Sequence, residues 1–280
     1  MRVGYYPGCT LNSTAEEYNI STKKVCACLD IELAETADWT CCGTSAAHAA
    51  SHIMSVALPI KNMLAYQKLG LNTLVLPCAA CYSRFKIANY LYPAHEKEIE
   101  EIFGEKYEQG LEIKSLLNFL TGEEILQAIK KRIKKSLTHL RVVAYYGCLL
   151  TRPPRMTGEE QYEYPTIMEE LTRELGAEPL DWSYKTECCG MNFSLSSPEF
   201  VIKLCKDILQ NAKDVGANVI AVACPLCHAN LDTRQKEIEK KYKVNIDMPI
   251  LYFTQLIGLA MGMTSEELGI KKHLVPLRIV

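Results

Sequence analysis

Residues 74–81 read LVLPCAAC, a short apolar run that leads directly into a Cys-x-x-Cys motif. Residues 220–227 read IAVACPLC and repeat this arrangement in the second half of the chain. A short apolar run between segments of helical periodicity is typical of a buried strand. We therefore predict that each copy is a strand whose carboxyl end carries two cysteines.

Two further cysteine signals precede each copy, in the same order. A short apolar run near the start of each half ends in a single cysteine, Cys9 or Cys148, and a Cys-Cys-Gly triplet follows at residues 41–43 or 188–190. The pattern C…CCG…CxxC therefore occurs twice. An internal repeat of this kind predicts two structural units of the same type. We place them at residues 1–135 and 136–280.

Segments of helical periodicity lie between the predicted strands. They cover residues 14–30, 46–69, 82–91, 113–135, 164–175 and 198–215. This alternation predicts the α/β class, with two modules related by a pseudo-twofold axis, each a short parallel sheet flanked by helices. We expect the charged stretch 96–135 to be a mostly helical connector. We expect the apolar stretch 249–263 to be a buried helix, too short to cross a bilayer.

Composition excludes several classes of function. Hydrophobic residues make up 48% and charged residues 23% of the 280 residues, as in globular proteins. The formal net charge of −2 offers no basic surface for nucleic acid. The N-terminal residues MRVGYYPGCT lack the layout of a secretory signal, so we expect a cytoplasmic protein. In that reducing compartment, thirteen cysteines indicate metal binding or redox chemistry rather than disulfides.

Five cysteines in each repeat are candidate metal ligands, because ligands collect beyond the carboxyl ends of parallel strands. They are Cys9, Cys41, Cys42, Cys78 and Cys81 in the first module, and Cys148, Cys188, Cys189, Cys224 and Cys227 in the second. A structural zinc ion takes four ligands, so a fifth thiolate favours an iron–sulfur cluster. Ordinary clusters also take four cysteines. Five thiols therefore indicate either one cysteine that is not a ligand or an unusual cluster.

Other residues near the motifs have simpler predicted roles. We expect Gly43 and Gly190 to let the backbone approach the bound group closely, since glycine has no side chain. Cys26, Cys28 and Cys205 have no counterpart in the other half of the chain. We predict that these three are buried as small apolar side chains.

The paired C…CCG…CxxC pattern resembles the CCG-domain family, which includes the B subunit of heterodisulfide reductase and iron–sulfur subunits of other reductases. The resemblance covers nearly the whole chain and is strongest to the stand-alone B subunit. It implies two noncubane [4Fe–4S] clusters, each held by the five motif cysteines of one module. It also implies that the coenzyme M–coenzyme B disulfide (CoM-S-S-CoB) is split between the clusters, with each cluster delivering one electron and binding one sulfur.

The resemblance further implies partners and substrate contacts. Family members work with a ferredoxin-like C subunit and a flavin-containing A subunit, often with hydrogenase or formate dehydrogenase. His228 directly follows Cys227 and is a candidate proton donor to the thiol products. Candidates for binding the anionic groups of the coenzymes are Arg84, Arg152 and Arg155.

Three alternatives share these motifs. The chain could be a CCG subunit of an assembly in lactate, glycolate, succinate or sulfur metabolism. It could be an electron relay that never touches substrate. A zinc-stabilised scaffold is the third alternative, and it predicts a colourless protein without redox activity.

Overall fold

The computed structural model describes residues 1–44 and 46–278, and it contains two consecutive units with the same succession of strands. The first unit consists of β1 (Arg2–Tyr5), α1 (Gly8–Leu11), α2 (Glu16–Cys28), β2 (Glu32–Ala34), α3 (Ala46–Ala50), α4 (His52–Gln67), β3 (Thr73–Leu76), α5 (Ala79–Phe103), β4 (Glu112–Ser115), α6 (Leu116–Leu120) and α7 (Glu123–Lys131). The second consists of β5 (Arg141–Tyr145), α8 (Pro154–Thr157), α9 (Ile167–Glu174), β6 (Glu178–Pro179), α10 (Pro198–Asp214), β7 (Val219–Val222), α11 (Pro225–Thr233), α12 (Gln235–Tyr242), β8 (Ile250–Tyr252) and α13 (Phe253–Ala260), with short 3₁₀ turns at Met191–Phe193 and Ile270–Lys272.

Each unit contains one four-stranded parallel sheet. The strand order is β2-β1-β3-β4 in the first sheet and β6-β5-β7-β8 in the second. The strands that precede the cysteine motifs, β1 and β3 or β5 and β7, lie side by side at the centre of each sheet. Their residues are almost entirely buried, as expected for strands covered by helices on both faces. The predicted α/β class with two short parallel sheets is confirmed.

The four edge strands were not predicted, and two predicted helical segments are wrong in part. Strand β4 lies inside the stretch 96–135, which was expected to be mostly helical, and β8 occupies the start of the stretch 249–263. Edge strands pair on one side only, so a short or partly charged segment such as Glu112–Ser115 suffices. Helix α5 also continues through Pro93 to Phe103, well beyond its predicted end at Leu91.

The two units share a buried interface in which α2 packs against α13. The rings of Tyr18 and Tyr252 stack with their centroids 4.0 Å apart. Beside them the hydroxyl oxygens of Ser21 and Thr254 lie 2.7 Å apart in a buried hydrogen bond. The hydroxyl of Tyr18 also donates to the carbonyl of Ala223, 3.4 Å away, just before the second Cys-x-x-Cys motif. The interface therefore fixes the position of one motif relative to the other module.

Truncation of Tyr18 to alanine tests how much this interface stabilises the protein. Because the ring is fully buried, we expect Tyr18→Ala to lower the free energy of unfolding by about 3–5 kcal/mol. Anaerobic denaturant titration followed by circular dichroism measures the change. The control is Tyr164→Ala, whose ring is 62% exposed and whose loss is expected to stay within about 0.5 kcal/mol. Equal losses in the two variants would contradict a stabilising interface.

Candidate metal centres

In each module three motif cysteines follow the central strands and the Cys-Cys pair follows the edge strand β2 or β6, so all five lie at the end of the sheet where parallel strands place ligands. Cys9 lies in α1, directly after β1, and Cys78 lies between β3 and α5. Cys81 is in the first turn of α5, and Cys227 is in the first turn of α11. Backbone N–H groups at the start of a helix favour negative charge. Of the four Cys-x-x-Cys thiols only Cys224 has a lowered pKa, because hydrogen bonds to neighbouring thiols and burial hold the pKa values of Cys78, Cys81 and Cys227 well above the usual value.

The cysteine sulfurs of each module converge, as the sequence predicted. The five thiols of the first module line one cavity, and four of the second module line another. The fifth, Cys188, contacts its neighbour Cys148. Sulfur–sulfur distances are 3.2 Å for Cys42 and Cys81, 3.7 Å for Cys148 and Cys188, and 3.7 Å for Cys189 and Cys227.

Hydrogen bonds within each set stabilise particular thiolates. Hydrogen bonds with the Cys41 and Cys81 thiols lower the pKa of Cys42 to about 3, although burial opposes this shift. The Cys148 thiol likewise lowers the pKa of Cys188 to about 6. The pKa of Cys224 is lowered well below its usual value by the thiols of Cys227 and Cys78. Thiolate is the form that binds metal. The contact between Cys78 and Cys224 also joins the two sets across the modules.

The Cys-Cys-Gly loops are held by the same contacts in both modules. The hydroxyl of Tyr6 donates to the carbonyl of Thr40 at 2.7 Å, and that of Tyr145 donates to the carbonyl of Glu187 at 2.7 Å. Each carbonyl belongs to the residue just before the cysteine pair. Neither tyrosine was predicted as a functional residue, although each stands three residues before the first motif cysteine of its half. Their repeated position is the signal that could have identified them.

Backbone N–H groups also reach the sulfurs. The N–H of Gly43 donates to Cys41 Sγ at 3.5 Å, and that of Gly190 donates to Cys188 Sγ at 3.3 Å. Hydrogen bonds to sulfur raise the reduction potential of a bound cluster because they stabilise its added negative charge. The two modules are therefore equipped in the same way to tune a cluster.

The two motif glycines pack closely against helices, and their predicted close approach to a bound group stays a prediction. A Cβ on Gly43 would lie 2.7 Å from Ala47 Cβ, and one on Gly190 would lie 2.9 Å from Leu204 Cδ1, so both glycines allow close packing against a helix. At two other glycines, Gly8 and Gly147, an added Cβ would approach a cysteine sulfur. A Cβ on Gly147 would lie 2.9 Å from Cys227 Sγ, and one on Gly8 would lie 3.2 Å from Cys81 Sγ.

The donor set fits iron–sulfur clusters. Each module offers five soft sulfur donors, and no imidazole or carboxylate is among the described residues that line the two cavities. Four sulfurs complete a tetrahedral zinc site, so the fifth would have no role there. Clusters of several irons can take more thiolates at separate corners. That these two cysteine sets hold clusters stays a prediction, and the placement of the sulfurs supports it.

The two sets differ in their access to solvent. The first borders a cavity of about 440 Å³, and Cys9 and Cys41 are exposed. The second borders a cavity of only about 40 Å³, and of its cysteines Cys188 is exposed. Met191 and Leu226 line both cavities, so the two adjoin. A small molecule therefore has room beside the cysteines of the first module.

His228 lines neither cavity. Its ring stacks on Tyr252 at 4.4 Å, and its Nε2 lies 3.1 Å from the carbonyl oxygen of Ile250. Burial holds the pKa of His228 well below its usual value, and the nearby His273 adds a smaller effect in the same direction. The structure thus places this residue as a buried neutral imidazole, and its role as a proton donor stays a prediction.

The three candidate arginines also line neither cavity. The guanidinium of Arg152 donates to the carbonyl and the hydroxyl of Thr186 at 3.3 and 3.2 Å, and that of Arg155 lies 5.0 Å from the ring centre of Tyr90. Nε of Arg84 is buried without a hydrogen-bond partner among the described residues. The structure does not bring these side chains to the cavities, because their positions close in sequence to the cysteines do not aim them there.

The three cysteines outside the motifs are only partly as predicted. Cys26 and Cys205 are fully buried, whereas Cys28 is exposed at the last position of α2. The prediction for Cys28 is wrong because Cys28 lies on the solvent-exposed side of that helix, with Lys24 and Ala27. The thiol of Cys205 donates to the carbonyl oxygen of Cys189 at 3.6 Å, and this contact holds the backbone of the second cysteine pair.

Comparison with known proteins identifies the family. The sequence profile of the CCG family, described as a cysteine-rich domain, matches residues 3–86 and 142–232. The chain belongs to this family. Both matched segments contain one complete C…CCG…CxxC pattern. The family match and the cysteine count together support iron–sulfur clusters as the bound groups.

Several curated proteins resemble this CCG-family chain over nearly its whole length. The 8-methylmenaquinol:fumarate reductase membrane anchor subunit of Wolinella succinogenes is 28% identical over 97% of this chain and 96% of its own. A protein of Archaeoglobus profundus, named as like the B subunit of heterodisulfide reductase, is 26% identical, over 96% and 93%. The B subunit of the ferredoxin/F420H2-dependent CoB-CoM heterodisulfide reductase of Methanosarcina acetivorans is 25% identical, over 98% and 94%. The chain is therefore related to iron–sulfur subunits of reductases.

One solved structure shares the fold. A hypothetical protein from Helicobacter pylori superimposes with a TM-score of 0.81 at 12% identity, over all of this chain and 53% of the other. Among the helices that the structure describes, none has the length and apolar character needed to span a membrane.

Removal of one cysteine from either pair tests the division into two ligand sets. We expect Cys42→Ala and Cys189→Ala each to lower the iron content from about eight to about four per chain, since each ligand set is local to its module. Iron and sulfide analysis of anaerobically purified protein measures this. Cys28→Ala, which changes an exposed cysteine outside the motifs, is the control and should keep all the iron. Loss of all iron from either motif variant would show that the sets are not independent.

Gly147 provides a second test that leaves every cysteine in place. We expect Gly147→Ala to remove the second cluster selectively, because its Cβ would lie 2.9 Å from Cys227 Sγ and φ is +68°. Gly158→Ala is the matched control. It has the same backbone strain at φ +74°, but its Cβ would meet nothing within 4 Å. Iron loss in both variants would assign the effect to backbone strain rather than to displacement of the sulfur.

Proposed function

We propose that the chain is the iron–sulfur subunit of a multi-subunit reductase in which two noncubane [4Fe–4S] clusters act together on one substrate. The observation that carries this proposal is the meeting of two five-cysteine sets at Cys78 and Cys224, beside a cavity of about 440 Å³. A simple electron relay needs no such cavity. The exposed thiols of Cys9 and Cys41 line it, so a substrate there would be adjacent to the first set.

The first candidate reaction is reduction of the CoM-S-S-CoB disulfide to two thiols. When bound, the two clusters would supply one electron each, and two protons complete the thiol products. The described residues would position the substrate. Met191 and Leu226 line both cavities, so a disulfide bound against them would be close to both cysteine sets. The relatives from A. profundus and M. acetivorans, whose names refer to the B subunit of heterodisulfide reductase, support this candidate.

Reduction by this chain would need partners. On the first candidate, a ferredoxin-like C subunit delivers electrons and a flavin-containing A subunit supplies them, with hydrogenase or formate dehydrogenase as the source. The complex would work in the cytoplasm. Full-length similarity to subunits of named heterodisulfide reductase complexes supports an assembly of this kind.

A second candidate is an uncharged apolar substrate such as a quinol. None of the described residues that line the two cavities is a lysine, arginine, aspartate or glutamate. Coenzyme M and coenzyme B are anionic and require cationic partners. The larger cavity instead presents Met191, Leu226 and Leu195, whose side chain is 99% exposed. The W. succinogenes relative carries the name of a menaquinol:fumarate reductase subunit, which supports this candidate. Oxidation of a quinol would release two electrons and two protons.

Leu195→Lys distinguishes the two substrates. A lysine at the cavity would disfavour an apolar ring and favour an anion, so we expect the apparent KM for a water-soluble menaquinone analogue to rise at least about tenfold. The affinity for coenzyme M, measured by a thiol-dependent EPR signal under oxidising conditions, should increase instead. Reoxidation of anaerobically reduced protein is followed optically. Leu274→Lys, at a leucine 62% exposed outside the cavity, is the control.

The wild-type protein decides between the candidates before any variant is made. An EPR signal that depends on coenzyme M supports the disulfide reaction, and reoxidation by the quinone analogue supports the second candidate. Clusters that respond to neither compound would contradict substrate binding and leave an electron relay. Zinc without sulfide would overturn the iron–sulfur assignment itself.

A further inference from the structure

A group of three buried polar side chains lies at the interface of the two modules, apart from the ten motif cysteines. Glu17 belongs to α2 of the first module, His228 to α11 of the second, and His273 follows the last 3₁₀ turn. Each offers one possible ligand atom, and these atoms all lie within 4.8 Å of one another. More than two hundred residues separate Glu17 from the two histidines in the sequence, so the fold alone brings the group together.

Glu17 has a buried carboxyl group, and burial raises its pKa. Its residue is 7% exposed, and it forms no ion pair within the part of the chain that the structure describes. The neighbouring Lys272 pairs with Glu16 instead. The hydroxyl of Tyr252 donates to Glu17 Oε1 at 3.4 Å, which is a long hydrogen bond. Buried glutamates are rarely left unpaired. A cation bound beside Glu17 would provide the missing charge.

The two imidazoles have ring nitrogens available for a metal. Nδ1 of His273 is buried and has no hydrogen-bond partner among the described residues, while its Nε2 lies 3.1 Å from the side-chain nitrogen of Gln255. Nε2 of His228 lies 3.1 Å from the carbonyl oxygen of Ile250. When that nitrogen donates to the carbonyl, Nδ1 carries the free lone pair. Metal-binding histidines commonly donate their other ring N–H to a backbone carbonyl in this way.

We propose that Glu17, His228 and His273 bind one divalent transition-metal ion, with zinc as the best match, and that this ion joins the two modules. Two imidazoles and a carboxylate form a known type of zinc donor set, with a fourth position left to water. Zinc–nitrogen bonds are about 2.0–2.1 Å long, which brings tetrahedral ligand atoms to about 3.3 Å from one another. The most distant pair would therefore have to approach by about 1.5 Å, a shift within reach of side-chain rotation.

The ion would have a structural role. Its ligands come from both modules and lie beside the stacked rings of Tyr18 and Tyr252, at the centre of the interface. Binding to the folded protein alone stabilises that state by mass action. Because no cysteine is among the three ligands, this site is separate from both cysteine sets and does not depend on what they bind.

Metal analysis of the complete protein tests the site. Protein purified anaerobically with its clusters is equilibrated with zinc and then freed of unbound ions. We expect one zinc per chain in addition to the cluster iron, and an X-ray absorption spectrum with a nitrogen and oxygen shell near about 2.0–2.1 Å and no sulfur shell. Zinc that displaces iron from the cysteines would show sulfur ligands at about 2.3 Å. A sulfur shell, or the absence of bound zinc, would overturn the proposal.

Variants assign the ligands. We expect His273→Gln and Glu17→Gln each to lose the zinc while the iron content stays at about eight, since neither residue belongs to a cysteine set. The matched control is His139→Gln, because Nε2 of His139 is also buried without a described partner but lies outside the three-residue group. Retention of zinc in both ligand variants would overturn the assignment. If a variant does not fold, the absorption spectrum of the wild-type protein still decides whether the site exists.

Discussion

Concentrated negative charge on cysteine sulfur is the constraint on which both modules depend. Five thiols that meet at the edge of a narrow sheet repel one another as they ionise, and burial raises the free energy of each thiolate. Three kinds of backbone feature reduce this cost. The Cys-x-x-Cys motifs start helices, the N–H groups of Gly43 and Gly190 reach sulfur, and Gly8 and Gly147 keep carbon away from it. A bound cluster would add the positive charge of iron and so offset the remaining negative charge of the thiolates.

The modules share these features but differ in what surrounds them, and the difference bears on function. In the second module a buried ion pair between Lys185 and Glu169, 2.6 Å apart, lies under the strand that leads to Cys148. The carbonyl of Lys185 accepts from the N–H groups of Tyr146 and Gly147. At the place of Tyr146 the first module has Pro7, which has no N–H to donate. The loop before Cys148 is thus held by a hydrogen bond that Pro7 cannot make, and the cavity beside the second set is the smaller of the two. On the proposed function, duplication would provide two electron carriers, and the larger cavity would place a substrate beside the first of them.

The repeat made most of the fold predictable, because each copy confirmed the interpretation of the other. Strands β1, β3, β5 and β7 carry both an apolar run and a following cysteine, so two signals coincide at each. The edge strands have neither a motif nor a long apolar run, and β8 continues into α13 without a change of hydrophobicity. The arginines illustrate a different limit. Arg84, Arg152 and Arg155 are near cysteines in sequence, but the direction of a side chain depends on the turn or helix that holds it.

The interface between the modules shows why local ligand sets do not make independent domains. Cys78 contacts Cys224, Tyr18 stacks on Tyr252, and Glu17 faces His228 and His273, so sulfur, aromatic and polar contacts all cross the same boundary. A cluster can be lost from one module without removing the ligands of the other. The free energy that holds the two sets in register is nevertheless shared, because it resides in contacts to which both modules contribute. If two clusters act on one substrate as proposed, their separation matters, and the contacts of this interface fix the separation of the two cysteine sets.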